Sequence, residues 1–467
     1  MTQEQTNQIL KCRDDHAPVL FYADGDTIAG APSFKLREGS TCSWARPDEA
    51  FGPDKLRSRI EPWLTALCQS EHFALLVGSG LTHALHRMAT GESLPGMSAS
   101  RLGIFDGEIA EEAKRSAEAA GRSAGNFEDQ IRVANELLRG LEIIASTRKA
   151  DAEENQQACI LREGLERVLG EFAALILKGE SGLVLAPDDK REQAFNYLVS
   201  FLMSFASRSG TRDRLQLFTT NYDRAIEAGA DVAGLRLVDR FVGMLAPVFR
   251  SSRLDVDMHY NPPGIRGEPR YLEGVARFTK LHGSVDWVQC DKTIRRIGLP
   301  FGAGNIAPYL SAPGLGGEAL QLMIYPNAAK DRETASYPYV ELFRDFAAAA
   351  CRPNSTLTCF GYGFGDEHIN RVIEDMLTIP SAHLVVIAHS DPLGRIMQTY
   401  ERLGRHAQMT LLIGNHLGEL QTVVDNYLPK PAIDRTMFRM AELLKARWGA
   451  AQVEGGIDNK APTAEEG

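Results

Sequence analysis

A series of short apolar runs, each ending abruptly in polar or glycine residues, constrains the fold of this chain more than any other feature. The first clear run, at residues 73–77, leads directly into Gly78-Ser79-Gly80. Continuous apolar runs of this kind are typical of strands that are buried on both faces of a parallel sheet. Comparable runs follow at residues 215–220, 277–281, 320–325, 356–360, 383–388 and 409–413. Amphipathic segments follow several of them, so the sequence predicts an α/β fold with a doubly wound, Rossmann-like, mostly parallel sheet.

The remaining length of the chain predicts additions to this sheet. Residues 107–207 are rich in Ala, Glu, Leu, Lys and Arg with helical spacing of apolar residues, which predicts a helical insertion at about residues 105–210. We expect an N-terminal extension of strand, turn and helix over residues 1–70, and a main domain over residues 71–449 whose first strand is residues 73–77. Residues 235–272 have no clear period and predict a second, loop-rich insertion. A helix is expected over residues 435–448, followed by a disordered tail at 450–467.

Composition disfavours several classes of ligand and location. The chain carries 51 Lys and Arg against 61 Asp and Glu, a formal net charge of -10, so nucleic acid is not expected as a direct ligand. No apolar run approaches the length of about 18 residues that spans a membrane, and no signal-peptide pattern is present. We therefore expect a cytoplasmic protein that does not bind membranes. The 7 cysteines include no Cys-x-x-Cys pair, which disfavours a structural zinc site.

The turn Gly78-Ser79-Gly80 precedes a helix that is expected to begin near Leu81. Glycines at such a turn let backbone N–H groups approach a diphosphate at the N-terminus of the helix. Glycine pairs are also common at strand-to-helix turns for purely steric reasons. This turn alone leaves both interpretations open.

A second glycine-rich turn, Gly361-Tyr362-Gly363-Phe364-Gly365-Asp366, follows the run at residues 356–360. It either packs against a nucleotide or simply leads into a helix whose N-cap is Asp366. Open α/β sheets bind ligands at the carboxyl ends of their strands, and both turns are expected at that edge. The two turns together favour a nucleotide site more strongly than either does alone.

Two polar residues end apolar runs at the same predicted edge. Asn221 precedes Asp223 and a helix expected over residues 224–230, so it is either a site residue or part of an Asx turn or cap. His282 follows the run at 277–281. A lone histidine is more often structural than catalytic, but histidine is the side chain best suited to act as a base near neutral pH. The shared edge therefore favours a catalytic pair.

Other residues give weaker signals. His83 and His86 lie one helical turn apart, but no third metal ligand is identifiable, so a solvated helix face is favoured. Cys290 follows the histidine turn without any sequence sign of a stabilised thiolate. The acidic run at residues 151–154 is typical of a solvated segment.

Four motifs together resemble the ordered NAD-binding and catalytic motifs of the sirtuin superfamily, in particular its bacterial sirtuin-like branch found in antiphage defence. The resemblance spans roughly residues 73–412. Its specific motifs are Thr219-Thr220-Asn221-Tyr222-Asp223 and Lys280-Leu281-His282-Gly283-Ser284, and its glycine loops are the two turns described above.

The resemblance implies a role for each of these residues. Asn221 would hold the nicotinamide ribose and an attacking water, and His282 would act as a general base on a ribose hydroxyl. The implied NAD-binding residues are Gly78, Ser79, Gly80, Thr219, Thr220, Asp223, Gly361, Gly363, Phe364 and Asp366. Cleavage of an N-glycosidic bond passes through an oxocarbenium-like state, which a polar side chain and a base beside the ribose can stabilise.

The chain departs from the lysine deacylases of this family in two ways. Its first glycine loop continues as Leu81-Thr82-His83-Ala84 instead of Ile-Pro-Asp-Phe-Arg, and the paired cysteines that bind zinc are absent. We therefore expect no zinc and no other metal. In deacylases the zinc domain helps to frame the acyl-lysine groove, and here a helical insertion takes its place. Water is the acceptor that this difference implies.

The resemblance thus implies an NAD glycohydrolase that acts in antiphage defence by depleting NAD. The alternatives are a sensor that binds NAD or ADP-ribose without turnover, an NAD-dependent protein deacylase, and a nuclease aided by a partner. NAD depletion must be gated, so we expect a homo-oligomer and, as partner, a HerA-type hexameric ATPase. An Argonaute-like partner, or self-assembly switched by a phage component, are the other candidates.

Overall fold

The computed structural model describes residues 7–28, 30–94, 101–119, 125, 127–148, 152–208, 213–252, 256–260, 270–290, 293–310 and 337–430. Each of the four motifs that carry the family resemblance lies within these ranges. The strand expected at residues 320–325, the helix expected at 435–448 and the tail at 450–467 lie outside the described residues.

A ten-stranded sheet forms the centre of the described structure, and 7 adjacent strands of it are parallel. In spatial order these strands are β16 (Met409–Ile413), β15 (His383–Ala388), β14 (Ser355–Phe360), β4 (His72–Val77), β5 (Leu215–Thr219), β11 (Val275–Lys280) and β6 (Arg236–Val238). Six of the seven are the apolar runs identified in the sequence, with ends that differ by at most two residues. The predicted mostly parallel α/β fold is confirmed.

Three antiparallel strands extend this sheet beyond β16. They are β1 (Gln8–Lys11), β2 (Val19–Ile28) and β3 (Ala31–Leu36), and β1 pairs with β16 so that Ile9 lies opposite Ile413. The prediction that residues 73–77 form the first strand of the main sheet is therefore wrong, although β4 is its first parallel strand. The N-terminal strands cover the backbone edge that β16 would otherwise expose.

Helices cover both faces of the sheet, as a doubly wound fold requires. Strand β4 shows the division, because Leu75 and Val77 belong to one apolar core while Ala74 and Leu76 belong to the other. The first core is closed by α1 (Pro53–Cys68), α2 (Ser79–Thr90), α6 (Asp188–Ala206) and α7 (Ala225–Ala233). The second core is closed by α9 (Tyr339–Ala350), α10 (Glu367–Leu377) and α11 (Arg395–Leu403).

The predicted helical insertion is present between β4 and β5. It consists of α3 (Asp106–Ala119), α4 (Phe127–Ala145) and α5 (Glu153–Leu185), followed by α6. Helices α3 to α5 pack in a third apolar cluster that includes Leu161 and Leu165, and residues outside the insertion such as Tyr222 and Val288 also belong to it. Further short elements are α8 (Ala307–Leu310) and the helix Leu420–Thr422, which continues into a π-helical turn at Val423–Tyr427. No helix within the described ranges has both the length and the apolar composition that crossing a membrane requires.

The loop-rich segment at residues 235–272 contributes short strands to three sheets. Besides β6, it contains β7 (Phe241–Val242), β8 (Val248–Phe249), β9 (His259–Tyr260) and β10 (Arg270–Tyr271). Strands β7 and β8 join β12 (Trp287–Cys290) and β13 (Thr293–Arg296) in a small antiparallel sheet, and β9 pairs with β10. Trp287 is buried in the small sheet against Phe241 and Phe249.

Candidate active site

A cavity of about 460 Å³ opens at the carboxyl ends of the parallel strands. Turns that follow β4, β5, β11 and β14 contribute to its wall, so the structure brings the four sequence motifs together. The predicted site residues that line it are Gly78, Ser79, Thr220, Asn221, Asp223, His282, Gly361, Gly363 and Asp366. This is the position at which open α/β sheets bind their ligands.

The two glycine loops touch each other through their backbones. A Cβ atom added to Gly78 would lie 2.4 Å from the carbonyl oxygen of Gly361, and one added to Gly80 would lie 2.6 Å from the Cα atom of Gly361. The N–H group of Gly80 donates to that same carbonyl oxygen at 3.0 Å. The glycines are therefore required for close packing of two loops that are distant in the sequence, and the packed loops form one wall of the cavity.

Three predicted binding residues do not contact the cavity. Gly80 packs against Gly361 as described above. The hydroxyl of Thr219 donates to the carbonyl oxygen of Val77 at 2.9 Å and accepts from the backbone N–H of Asn221. Phe364 is buried with a positive φ of 53° and packs on Tyr362, with ring centroids 4.9 Å apart. These three residues support the loops on the side that faces away from the cavity.

Hydrogen bonds fix the side chain of Asn221 in one orientation. Its Nδ2 atom donates to the carbonyl oxygen of Gly78 and to Oγ1 of Thr82, each at 3.0 Å. Because a carbonyl oxygen can only accept, the nitrogen and not the oxygen must face Gly78. Within the described residues Oδ1 has no partner, so it is the acceptor that Asn221 offers to a ligand.

Asp223 supports this orientation through Thr82. The hydroxyl of Thr82 donates to Oδ2 of Asp223 at 2.7 Å while accepting from Asn221. The second oxygen of Asp223 accepts the N–H of Ala225 at 3.0 Å, which forms the turn into α7. Asp223 therefore forms the turn before α7 and also lines the cavity.

His282 is paired with a carboxylate from the other side of the site. The His282 side chain is 8% exposed, and its Nε2 atom lies 2.7 Å from Oδ2 of Asp366. A carboxylate can only accept, so in neutral His282 the proton resides on Nε2 and the lone pair on Nδ1. Nδ1 has no partner in the described residues and is the atom available to take a proton.

Asp366 holds His282 while capping a helix. Its Oδ1 atom accepts the N–H groups of His368 and Ile369, which confirms the predicted N-cap of α10. The capping bonds fix the carboxylate, and the second oxygen is left to orient the imidazole. The hydroxyl of Tyr362 also donates to the backbone carbonyl of Asp366 at 3.1 Å.

Helix α5 of the insertion forms the apolar wall of the cavity, which the sequence motifs did not reveal. Its lining residues are Phe172, Leu175, Ile176, Gly179, Glu180 and Leu183. They recur at the spacing of a single helix face, and this spacing is the only signal of their role in the sequence. The cavity therefore has a polar side at the sheet edge and a largely apolar side on the insertion.

A buried ion pair joins this wall to the edge of the sheet at which the parallel strands end. Glu180 and Arg224 are both buried, and Nε of Arg224 lies 3.1 Å from Oε1 of Glu180 while the Nη2 atom contacts the other oxygen. The backbone N–H of Arg224 also donates to Glu180 at 2.8 Å. Burial raises the pKa of Glu180 above its ordinary value, and the contact with Arg224 opposes this effect. The pair ties α5 to the start of α7.

His83, His86 and Cys290 gave weaker signals in the sequence, and their surroundings are those of structural residues. His83 lines the cavity, and burial together with the neighbouring His86 lowers its pKa. The Nδ1 atom of His86 lies 3.1 Å from the carbonyl oxygen of Glu92. Cys290 is buried in β12. Across the described residues, no group of three His, Cys, Asp or Glu side chains is arranged to hold a metal ion.

No protein-family model matches this chain, and no curated protein matches it either. The geometry of the site limits the chemistry that it can support. The relevant features are a polar cavity edge, two packed glycine loops, an oriented amide and a histidine held by a carboxylate.

Proposed function

We propose that this protein is an NAD glycohydrolase, which converts NAD and water into nicotinamide, ADP-ribose and a proton. The observation that carries the proposal is that Oδ1 of Asn221 and Nδ1 of His282 have no partner among the described residues. Both residues line one cavity beside two glycine loops. An acceptor and a base beside glycine loops suit a ribose attached to a diphosphate.

In the proposed reaction, the bond between the nicotinamide nitrogen and the ribose C1′ breaks, and nicotinamide leaves with the bonding electrons. The ribose gains oxocarbenium character, and a water molecule held by Oδ1 of Asn221 forms the new C1′–O bond. Nδ1 of His282 takes up a proton from a ribose hydroxyl as charge develops. The attacking water then gives a proton to that ribose oxygen, and His282 releases its proton to solvent. The carboxylate of Asp366 stabilises the imidazolium that forms.

We further propose that this activity serves antiphage defence by depleting NAD in the cytoplasm, through a homo-oligomer that works with a HerA-type hexameric ATPase. Two features support this proposal, namely the family resemblance and the long helical insertion α3 to α6, which lies outside the sheet and its motifs. Light scattering tests the oligomer, and co-purification with a coexpressed HerA-type ATPase tests the partner. A monomer at all concentrations that does not bind the ATPase would contradict it.

The activity is tested by incubating the purified protein, alone and with the ATPase, with NAD and measuring free nicotinamide. Asn221→Ala should lower the rate at least about a hundredfold, equivalent to about 2.7 kcal/mol of transition-state stabilisation. Asn221→Asp should also be impaired, because an added carboxylate oxygen would face the carbonyl of Gly78.

Asn426→Ala is the matched control, since Asn426 binds the carbonyl of Thr422 outside the cavity. It should leave the rate unchanged. Binding of NAD without any release of nicotinamide under all of these conditions would favour the sensor alternative. Near-wild-type turnover by Asn221→Ala would show that the proposed site is not the catalytic one.

A further inference from the structure

Arg395 contributes the only arginine or lysine side chain that lines the cavity within the described residues. It is the first residue of α11, directly after Gly394, which has a positive φ of 65°. Its side chain is partly buried and has no hydrogen bond or ion pair in the described part of the chain. None of the sequence motifs contains this residue.

Within the described residues, no ion pair joins Arg395 to any of the four carboxylates that line the cavity, which belong to Glu128, Glu180, Asp223 and Asp366. Glu180 is paired with Arg224, and Asp366 is paired with His282. Asp223 accepts from Thr82 and from a backbone N–H group. These acidic groups are engaged with other protein partners, whereas the guanidinium of Arg395 is available to a ligand.

The guanidinium lies against the second glycine loop. A Cβ atom added to Gly365 would be 2.8 Å from Nη1 of Arg395, so a side chain at position 365 would displace the guanidinium. The absence of a side chain at Gly365 thus gives Arg395 its place beside the loop. That loop packs on Gly78 and Gly80, where the N-terminus of α2 meets the cavity.

We infer that Arg395 binds the diphosphate of the ligand and thereby selects dinucleotides over nucleosides. A guanidinium can bind two phosphate oxygens at once and keeps its charge at all physiological pH values. NAD and ADP-ribose carry the diphosphate, whereas nicotinamide riboside and adenosine do not. The inference deepens the proposed function, but it concerns binding and can be tested without turnover.

The test is calorimetric titration of the full-length protein with ADP-ribose and, separately, with adenosine. Arg395→Ala should weaken binding of ADP-ribose about 10-fold to 100-fold and change binding of adenosine less than about threefold. Arg395→Lys should give an intermediate loss, because it keeps the charge without the paired N–H donors. Gly365→Ala should also weaken ADP-ribose binding, by moving the guanidinium.

Arg402→Ala is the matched control, because Arg402 lies on the same helix, is exposed and pairs with Glu374. It should bind ADP-ribose like the wild type. In the wild type, binding of ADP-ribose should weaken as salt is raised from 50 to 500 mM, and this dependence should be smaller in Arg395→Ala. Turnover of NAD by Arg395→Ala should show a raised KM with a kcat within about threefold of wild type.

Unchanged ADP-ribose binding by a folded Arg395→Ala variant would overturn the inference, even if the wild type hydrolyses NAD. Failure of the wild type to bind ADP-ribose would overturn it as well. Conversely, binding of ADP-ribose that depends on Arg395, without release of nicotinamide from NAD, would support the inference while contradicting the proposed glycohydrolase.

Discussion

The Nε2 atom of His282 lies 2.7 Å from Oδ2 of Asp366, although 84 residues separate the two in the sequence. One carboxylate thus caps α10 and sets the tautomer of an imidazole at the carboxyl end of β11. A group that is already fixed by backbone N–H donors is well suited to hold a catalytic base, because little reorganisation is needed when the base becomes charged.

This relationship makes Asp366→Asn an informative variant. Asparagine caps helices about as well as aspartate, so unfolding free energy should change by less than about 1 kcal/mol. An amide can instead donate to Nε2 and so favour the wrong tautomer, and turnover should fall by about a hundredfold or more. His282→Ala should lose most turnover while binding NAD within about tenfold of the wild type.

His83→Ala provides the control, since His83 is the other imidazole that lines the cavity. Its turnover should stay within about threefold of the wild type. A large loss for His83→Ala together with a small one for His282→Ala would assign the base to α2. Steady-state kinetics and NAD titrations on the same preparations separate turnover from affinity.

Close packing of the glycine loops predicts unequal effects of two similar substitutions. Gly78→Ala places a methyl group against backbone atoms of Gly361 and Tyr362 that cannot move aside easily, so it should destabilise the fold by about 1–3 kcal/mol. Gly363→Ala has no atom within 4 Å of the added Cβ and should be nearly neutral. Urea unfolding of both variants tests this. Equal stability would show that the loops separate readily.

The ion pair between Glu180 and Arg224 should matter more than an exposed pair on the same helix. Glu180→Ala leaves a buried guanidinium without its carboxylate and should cost about 3–5 kcal/mol. Glu171→Ala removes the exposed pair with Arg167 and should cost less than about 1 kcal/mol. Similar urea midpoints for the two variants would mean that the carbonyl groups of Leu299 and Pro300 satisfy Arg224 by themselves.

Lowering the pH should destabilise the fold, because His383 on β15 binds a proton more readily in the unfolded chain than in the folded one. Burial, assisted by the charge of Lys11, lowers the pKa of His383 to about 4. The unfolded chain binds this proton at a pKa of about 6.5, so the contribution is complete above pH 6.5 and is lost progressively as the pH falls toward 4. The loss approaches about 3 kcal/mol, since each pKa unit corresponds to about 1.4 kcal/mol.

Unfolding in urea at pH 7.5 and at pH 4.5 measures this effect. The loss of stability between the two pH values should be smaller in His383→Leu, which has no proton to bind. His72→Leu is the control, because the His72 side chain is 20% exposed and lies 2.7 Å from the carboxylate of Asp213. An identical pH dependence in wild type and His383→Leu would contradict the assignment to His383.

The sequence by itself determined six of the seven segments that form the parallel strands. Runs such as His383–Ala388 and Met409–Ile413 are continuous and apolar because both of their faces are buried, and this requirement is local enough to be recognised in one sequence. Polar residues that end such runs must lie at one edge, since parallel strands share a direction. The sequence therefore also predicted that Asn221 and His282 lie at the same edge of the sheet.

Only the tertiary structure decided which groups those residues contact. Packing of distant elements pairs His282 with Asp366 and places α5 over the cavity. It also brings the backbone of Gly78 into contact with that of Gly361. It also placed β1 beside β16, an antiparallel pairing that no local pattern specifies. Arg395 became part of the cavity in the same way. Hydrophobic periodicity reports whether a residue is buried, but the identity of its neighbours depends on how distant elements pack together.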